Sequence, residues 1–486
     1  MNPIDRMVSF FSPEAGYKRL RARAGAAQLM NFDAASRGRR TYGWKAPGSS
    51  ADAAAFGHRA RMRNLSRDMI RNRPYAARGR DVVVANVVGE GITPSIRMEG
   101  GQGKGQDKTQ VEAALQHLLT PDIDALGEYD LFEMQGIVMS TVFADGEVLV
   151  CRRMRNPRHD PQLRLPYQVE LIEADYLDMT VQSHGKNLVV EGIEYGPTGA
   201  IEAYHLYNEH PGAVQNRRAL GSTRVHWSDI LHIRRFDRAG QLRGVPWLAP
   251  VMMTLGELGD YQEAQILKQK MAALMAVVIE WEDAATRPAN AGAGLEELAP
   301  GAVVNLPAGA KPNFTNPPKI DGYDEFMRRG LGMVAMGLGI SYEALAGDLK
   351  GVNFSSGRMG RMEMDRLVRM WQRGLMIGQF CRGMERWFRE GLAVKGAALP
   401  AFTIDWTPPR RILVDPTKEI PAMIEEVEAG LNSRQRTQRE LGRDPDTIRA
   451  ERAQDLVADK AAGLDPVTPQ GGRAADSNKE ETDEGE

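Results

Sequence analysis

The chain has 486 residues, of which 42% are hydrophobic and 26% are charged, a composition typical of a globular protein with roughly three domain-sized units. Its longest nearly unbroken apolar run, Met271–Ile279, is far shorter than the roughly 20 residues of a membrane span, and its start lacks the features of a secretion signal, so we expect synthesis in the cytoplasm. Two cysteines, Cys151 and Cys381, exclude a disulfide framework and a cysteine-based zinc site and predict two buried, reduced thiols.

The charge is distributed unevenly along the chain. Residues 1–80 hold 17 Lys and Arg against 5 Asp and Glu, whereas the remaining residues hold 45 against 59. Such asymmetry often marks a charged partner. A basic face that only keeps an arm soluble would explain the same pattern.

The first 145 residues are predicted to be mainly helical after an extended start. Residues 33–57 are rich in Gly, Ala, Ser and Arg and lack an apolar period, which indicates an extended arm. A helix is predicted over Arg59–Asn72, and Pro74 marks its boundary. Further helical patterns cover Gln110–Leu119 and Tyr129–Phe143, and Asp145-Gly146 is a turn signal.

Residues 147–237 show mainly β-strand patterns separated by Gly, Pro and Asn clusters. The Gly196-Pro197-Thr198-Gly199 sequence predicts a hairpin turn. The first half is therefore predicted to be an α+β body, with strands at Glu147–Arg152, Gln168–Ile172, Val189–Tyr195, Ala200–Tyr207 and Ile230–Phe236.

Two long helical patterns bracket a small island in the second half. The first helix is predicted from Pro250 to about Met275, and the second from Tyr323 to about Ala346. Between them, Val277–Trp281 and Val303–Leu306 are strand-like, and Pro307–Pro318 has the composition of a loop. The second helix contains Gly330, Gly332, Gly337 and Gly339, which lower helix stability by roughly 1 kcal/mol each and favour either close helix packing or a bend.

A glycine-bounded loop, Gly347–Phe354, follows the second helix. Ser355 or Ser356 is expected to cap the next and longest helix, whose core stripe would contain Met364, Leu367, Trp371, Leu375, Gly378, Cys381, Met384 and Phe388. One more strand is predicted at Phe402–Trp406, then a charged helical segment over Thr417–Lys460. The acidic end, Asp476–Glu486, is disordered by composition.

The sequence offers little support for an enzyme. The glycine-rich Gly100–Gly105 stretch lacks the spacing of a phosphate-binding loop, and no HExxH motif contains the clustered His205, His210, His226 and His232, which satisfied polar contacts explain better than metal binding. Adjacent acids such as Glu425-Glu426 do not share a helix face. We therefore expect no catalytic residues, no metal and no cofactor.

One string, Arg238 to Pro250 (RAGQLRGVPWLAP), closely resembles the lambda-type family of phage portal proteins. Three further stretches look like the same family in the same order: Asp33–Arg40, Arg71–Ala76 leading into Asn86–Ile92, and Asn353–Ser356. The resemblance runs from about residue 30 to residue 460 and leaves out the acidic tail.

The resemblance implies an α+β portal fold arranged as a ring, usually of twelve subunits, at one capsid vertex. It divides the chain into segments named by the family's architecture. These are a basic flexible arm (1–60), an α+β wing (61–248), stem helices (249–275 and 322–346), a clip between them (276–321), a tunnel loop (347–357), a long helix returning to the wing (358–415), a helical crown (416–475) and an acidic disordered tail (476–486).

The resemblance also implies functional residues and partners. The tunnel loop would meet DNA through Asp348, Lys350, Gly351, Asn353, Phe354 and Ser355; the clip would dock other proteins through Trp281, Glu282, Asp283, Glu296 and Glu297; and the arm would use Arg37, Arg39 and Arg40. The implied partners are other copies of the chain, double-stranded DNA, terminase, major capsid and scaffold proteins, and head-tail connector proteins, with no membrane. The implied location is the virion, after synthesis in the host cytoplasm. The alternative is a virion structural or head-tail adaptor protein that never contacts DNA.

Overall fold

The computed structural model describes residues 7–8, 10–28, 39, 42–43, 47–98, 105–214, 220–274, 278–281, 310–313, 322–396, 401–409 and 415–464. The chain divides into two units, Met1–Ala54 and Ala55–Glu486. Within the described ranges, no helix has both the length and the apolar character needed to cross a membrane. The predicted features Gly100–Lys104, Val303–Leu306 and Asp476–Glu486 lie outside the described residues.

The N-terminal unit contains helix, although the sequence predicts an extended arm. Helix α1 spans Pro13–Gln28, and the short α2 spans Ala51–Ala55 inside the stretch predicted to be extended. The Ser50 hydroxyl accepts a hydrogen bond from the Ala53 backbone N–H at 3.2 Å, and alanines fill most of α2. A serine cap followed by alanines favours a helical turn, which outweighs the missing apolar period.

The larger unit contributes most of the helices. They are α3 (Arg59–Asn72), α4 (Pro74–Val87), α5 (Gly105–Leu115), α6 (Leu131–Asp145), α7 (Met252–Leu274), α8 (Tyr323–Leu338), α9 (Tyr342–Ala346), α10 (Phe354–Trp371), α11 (Arg382–Val394), α12 (Pro416–Glu428), α13 (Arg434–Glu440) and α14 (Pro445–Ala462). A π-helical segment, Gln372–Cys381, joins α10 to α11. Pro74 begins α4 at the first helical position, where its missing N–H costs nothing.

The strands form four sheets. They are β1 (Thr93–Met98), β2 (Glu147–Met154), β3 (Tyr167–Ile172), β4 (Ser183–His184), β5 (Asn187–Val190), β6 (Ile193–Tyr195), β7 (Ile201–Tyr207), β8 (Ser222–His226), β9 (Ile230–Arg234), β10 (Val278–Trp281), β11 (Ala310–Asn313) and β12 (Phe402–Thr407). The strand orders are β3-β2-β9, β4-β5-β6-β7-β8, β1-β12 and β10-β11. Within the part of the chain that the structure describes, the named strands all pair antiparallel, which confirms the predicted α+β class.

Strand β2 is buried on both faces and therefore joins two cores. Val148 and Val150 belong to the main core with the helices, whereas Leu149 and Cys151 belong to a second core shared with β6 and β7. Successive side chains of a strand point to opposite faces, so one strand serves both. Burial raises the pKa of the Cys151 thiol to about 12, and both cysteines are buried and free, as predicted.

Several boundaries differ from the predictions for local conformational reasons. The predicted strand Val189–Tyr195 is two strands, because Glu191 and Gly192 adopt left-handed conformations with φ of 50° and 81° and turn the chain. The predicted turn at Gly196–Gly199 does join β6 to β7. Strands β1, β4 and β8 were not predicted; β1 contains Pro94 and has only β12 as its partner.

The described residues of the island between the two long helices form an antiparallel strand pair. Strand β10 matches the predicted Val277–Trp281, but its partner β11 lies at Ala310–Asn313, inside a stretch predicted to be loop. Pro312 favoured the prediction of a loop, because proline is uncommon in strands. Proline is tolerated in β11 because one edge of a two-stranded pair needs no donor.

The second long helix ends earlier than predicted. Helix α8 stops at Leu338 because Gly339 adopts a left-handed conformation (φ 75°) and caps it, and α9 begins again after the Ser341 N-cap. The segment predicted as one helix to Ala346 is therefore two.

The longest helical segment is interrupted by its π-helical part. Met364, Trp371, Leu375, Cys381, Met384 and Phe388 are buried as predicted, but Leu367 and Gly378 are exposed and Val368 takes the core position. Gly378 lies in the π-helical segment, which has more residues per turn than an α-helix, so a stripe projected at a constant period loses its register there. Leu367 lies in α10 before that segment, one position from the buried Val368.

Gln379 in the π-helical segment completes the edge of the three-stranded sheet. Its side-chain amide accepts a hydrogen bond from the Arg234 backbone N–H at 2.9 Å and donates one to the Arg234 carbonyl at 3.0 Å. The side chain thus makes at the end of β9 the two bonds that a neighbouring strand would make.

The C-terminal segment predicted as charged helix is α12, α13 and α14. Gly430 and Gly442 adopt left-handed conformations between them, with φ of 71° and 70°. Each glycine allows the helix before it to end in a left-handed cap. The charged, weakly periodic sequence does not show where these helices end.

Candidate functional site

The loop after α9 has a defined conformation set by Asp348. Its carboxylate accepts hydrogen bonds from the Lys350 backbone N–H at 3.0 Å and from the Tyr342 hydroxyl at 3.2 Å. Gly347 and Gly351 adopt left-handed conformations on either side, with φ of 67° and 76°. The loop is therefore a tight turn closed by an aspartate, with the Lys350 side chain exposed.

The C-terminal side of this loop is a helix cap. The Asn353 side chain accepts from the Ser356 backbone N–H at 2.8 Å, and the Ser356 hydroxyl accepts from the Asn353 backbone N–H at 3.2 Å. The predicted cap at Ser355 or Ser356 was therefore wrong: Asn353 is the N-cap and Ser356 answers it three residues later. Phe354 and Ser355 begin α10, so the free loop is 347–353.

Arg328 of α8 ties this loop to the long helices. Its guanidinium lies 5.6 Å from the centre of the Tyr342 ring and donates to the Lys350 carbonyl at 3.4 Å. The pKa of Asp348 is lowered, first by the Lys350 backbone N–H, then by the Tyr342 hydroxyl and the positive charge of Arg328. The aspartate thus stays ionised and holds the turn.

Helices α7 and α8 pack closely because glycines replace side chains at their contact. A Cβ added at Gly330 would lie 2.5 Å from Leu258 Cδ2, and one added at Gly337 would lie 2.3 Å from Val251 Cγ1. Close packing, rather than a bend, therefore explains these two glycines. At Gly332 an added Cβ would meet nothing within 4 Å.

Gln241, Arg243 and Gly244 of the Arg238–Pro250 string belong to a buried polar cluster before the start of α7. Glu147 of β2 accepts from Arg243 Nε and Nη2 at 2.9 and 2.7 Å, from the Gly244 backbone N–H at 2.9 Å, and from His232 Nε2 at 2.9 Å. All these groups are buried, so the carboxylate charge is neutralised by Arg243 without contact with water.

A second buried ion pair adjoins the first. Arg59 Nε of α3 donates to Glu191 at 3.1 Å, and Arg243 Nη1 donates to the Glu191 carbonyl at 2.9 Å. Gln241 closes the turn by donating to the Arg243 carbonyl at 2.8 Å. A Cβ added at Gly244 would lie 2.2 Å from the Gly146 carbonyl oxygen, so only glycine fits there.

Trp247 links this buried polar cluster to helices α7 and α8. Its indole N–H donates to the Leu338 carbonyl at 3.1 Å, its ring lies 4.7 Å from Trp371 and 5.7 Å from Phe143, and Arg235 covers it at 4.6 Å. The last turn of α8 and the start of α7 are thus held by one buried side chain.

Burial and the neighbouring charges set the protonation states of Glu147 and His232 in the buried polar cluster. Burial alone would raise the pKa of Glu147, but Arg243 and the His232 hydrogen bond outweigh it and hold that pKa well below its usual value. Burial lowers the pKa of His232 to about 4 despite its bond to Glu147, so its imidazole is neutral and Nε2 carries the proton.

The other histidines make polar contacts, and arginines already occupy the acids beside them. His184, Glu194 and His205 lie close enough to share an ion, as do Glu173, Asp175 and His210. In the first group, however, Arg224 Nε donates to Glu194 at 2.7 Å. In the second, Arg67 Nη2 lies 3.0 Å from Glu173 and 2.8 Å from Asp175. A metal ion would have to displace a bonded guanidinium at either place.

The predicted clip and arm residues are only partly described. Trp281 ends β10, while Glu282, Asp283, Glu296 and Glu297 lie outside the described residues, as do Arg37 and Arg40. Arg39 lies in an exposed turn. The structure therefore shows the conformation of the predicted loop at 347–353, and the functional roles of all three residue sets stay predictions.

The sequence analysis did not predict the buried polar cluster. Arg243 and Gly244 stand in the quoted string, but Glu147, Glu191 and Arg59 are far from it in sequence and look like ordinary surface charges. The available signal was the glycine pair at 146 and 244, each beside a charged residue in a strand-and-turn region.

Comparison with known proteins places these features in a described family. A family model for phage portal proteins of the lambda family matches residues 37–372. The probable portal protein of Halomonas phage phiHAP-1 is 26% identical over 471 residues, covering 91% of this chain and 89% of that protein. Portal protein B of Escherichia phage lambda is 21% identical over 485 residues, covering 87% and 88%.

Solved structures also resemble the fold. A chain in the neck of a native gene transfer agent particle, computed with C12 symmetry, has a TM-score of 0.48 and 15% identity, covering 79% of this chain and 94% of that one. An HK97-family phage portal protein from Corynebacterium diphtheriae has a TM-score of 0.33 and 11% identity, covering 74% and 98%.

Proposed function

The chain belongs to the lambda family of phage portal proteins, and on that premise we propose that it forms a closed ring of about twelve copies around a DNA channel at one capsid vertex. The ring would admit double-stranded DNA during packaging and release it during ejection. The family is structural and supplies no reaction for the chain to catalyse.

One relationship supports this proposal best: the α7–α8 pair and the 347–353 loop form a connected unit. The glycine contacts hold α7 against α8, and Arg328 fastens the loop to α8. Helix α7, with 23 residues, is about 34 Å long, and α8, with 16, is about 24 Å. A rigid rod with a small turn fixed beside it is a suitable wall for a channel with a contact point inside.

The mixed charge of the loop suits a weak contact that lets DNA move through the channel rather than a strong contact that holds the DNA in place. Duplex DNA carries one negative charge per roughly 1.7 Å, and each neutralised phosphate adds affinity. A ring repeats each loop residue once per subunit, so a wholly basic loop would clamp the duplex. Here Asp348 is ionised beside exposed Lys350, so attraction is offset by repulsion. Lys350 and Asn353 remain the proposed phosphate contacts.

We propose the remaining partners from family membership. The clip, residues 276–321, would dock terminase during packaging and the head-tail connector afterwards, and the body and arm would meet the major capsid and scaffold proteins. Synthesis would take place in the host cytoplasm before incorporation into the virion.

Electron microscopy and native mass spectrometry of the purified protein test the ring. We expect closed rings with an open axis and no ATP hydrolysis. A protein that stays monomeric at micromolar concentration at every salt concentration would overturn the proposal, and ATP turnover would indicate an enzyme. An adaptor that never meets DNA is the second candidate; rings whose axis is closed or too narrow for a duplex would favour it.

A further inference from the structure

Helix α10 carries an outward face that contains methionines and arginines. Met364, Val368 and Trp371 point into the core, and the opposite face is exposed, with Met359 and Met370 exposing 70% and 58% of their surface. A helix repeats every 3.6 residues, so this face is a single stripe. Its members in α10 are Met359, Met362, Arg366, Arg369 and Met370. Arg373, in the π-helical segment that follows, continues the stripe.

The chemistry of this stripe fits a protein surface. Among the described residues, Arg361 of α10 pairs with Asp365 on the flank of the helix, but Arg366, Arg369 and Arg373 have no ion-pair partner. Three cations would suit a polyanion, but a phosphate backbone offers nothing to cover the methionines between them. A surface that is both acidic and apolar satisfies both residue types.

Helix α7 carries such a surface. Its buried side, Val251, Leu255 and Leu258, faces the core, and the opposite side places Met253, Glu257, Asp260 and Leu267 in one line. Met253 and Leu267 expose 77% and 59% of their surface. Asp260 lies 3.6 Å from Arg73 but keeps 78% of its side chain exposed, so it remains available to a partner.

We propose that the α10 stripe of one copy docks on the α7 stripe of the next copy around the ring. Two different stripes on one chain give a head-to-tail interface, which does not end at a dimer and forms a ring when the rotation between neighbouring copies closes. Arginines would meet Glu257 and Asp260, and the methionines would cover Met253 and Leu267. This inference rests on the proposed ring and names the surfaces that build it.

Charge reversal tests the pairing in the full-length protein. The variant Arg366→Glu/Arg369→Glu and the variant Glu257→Lys/Asp260→Lys should each reduce the fraction of chains in rings by at least about tenfold, because like charges would face each other. Circular dichroism should match wild type, since all four side chains are exposed. Arg436→Glu/Arg449→Glu, on α13 and α14, is the control and should assemble normally.

Mixing the two reversed variants gives the decisive measurement. In a head-to-tail ring, alternating the variants places opposite charges at every interface, so native mass spectrometry should detect rings with equal numbers of each. Rings formed by either variant alone at wild-type yield would overturn the pairing while leaving the ring intact. Loss of rings in both variants without rescue on mixing would show that the two stripes belong to different interfaces, which also overturns it. Failure of wild type to form rings would instead refute the proposed function.

Discussion

Gly330 of α8 lies directly against Leu258 of α7, so that a Cβ on Gly330 would come within 2.5 Å of Leu258 Cδ2. Gly332, two residues further along the same helix, faces open space. We expect Gly332→Ala to raise the free energy of unfolding by up to about 1 kcal/mol through helix propensity. Gly330→Ala makes the same propensity gain but overpacks the contact, so it should lie about 1–3 kcal/mol below Gly332→Ala in urea unfolding.

Equal effects of these two substitutions would contradict the close packing of α7 and α8. Because both variants are alanines in the same helix, differences in the unfolded chain cancel, and the comparison isolates the contact with Leu258.

The buried pair between Arg243 and Glu147 predicts a large effect of removing one partner. Arg243→Met leaves the Glu147 carboxylate buried with only His232 and the Gly244 N–H, and should lower the free energy of unfolding by about 3–5 kcal/mol. Arg436→Met, whose arginine is 72% exposed beside Glu440, should change it by less than about 1 kcal/mol. Similar changes in the free energy of unfolding for both variants would mean that the buried polar cluster does not stabilise the fold.

The neutral state of His232 predicts a dependence of stability on pH. Its folded-state pKa of about 4 lies below the ordinary 6.5, so the unfolded chain binds the proton first as the pH falls. This contribution to stability is complete above pH about 6.5 and declines from there to pH about 4. His117, buried against the Tyr167 carbonyl with a pKa also lowered to about 4, adds a second decline over the same range.

Urea unfolding at a series of pH values in that range measures the decline. His232→Gln keeps a donor towards Glu147 but does not titrate, so the slope of stability against pH should become shallower while the His117 part remains. An unchanged slope would contradict burial of a neutral His232.

The tunnel loop predicts a distributed and weak contact with DNA. Removing Asp348–Val352 should leave rings intact and impair packaging or retention of DNA. Lys350→Ala alone should have a small effect, because Lys350 would be only one of several weak contacts that each loop makes with DNA. Asp348→Asn weakens the acceptor of the Lys350 N–H and should loosen the turn. Genome packaging and retention at wild-type yield by the deletion variant would remove the loop from DNA handling.

The clip predicts defects confined to docking. Trp281→Ala, or a deletion within Thr286–Gly294, should weaken binding of terminase or the tail connector, measured by pull-down from purified components, while rings form normally. The clip is proposed because residues 276–321 lie in sequence between the two proposed stem helices; ring failure with normal docking would contradict the assignment.

The sequence predicted element types better than element ends. The strand positions of β2, β3, β7 and β9 and the two long helices around a strand-containing island follow from period and turn residues. The end of α8 at Gly339 and the split at Glu191 and Gly192 depend on left-handed backbone, which a pattern of apolar residues does not encode.

The buried polar cluster shows why the candidate site was only partly predictable. Arg243 and Glu147 are 96 positions apart, and Arg59 and Glu191 are 132 apart. A charged residue has the same letter whether it faces water or a buried partner, so only the fold decides its role. The 347–353 loop is local in sequence, and its left-handed glycines and Asp348 stand in the stretch that the sequence predicted as a loop. Its contact with DNA stays a prediction.

The bonds between Gln379 and Arg234 have a consequence for a protein that assembles in many copies. An uncovered strand edge offers free N–H and carbonyl groups to any other strand, and copies held side by side meet at high local concentration. By filling the partner's place at the end of β9, one glutamine discourages neighbouring subunits from joining their sheets into an open-ended fibre. Strand pairing between subunits is thereby opposed at that edge.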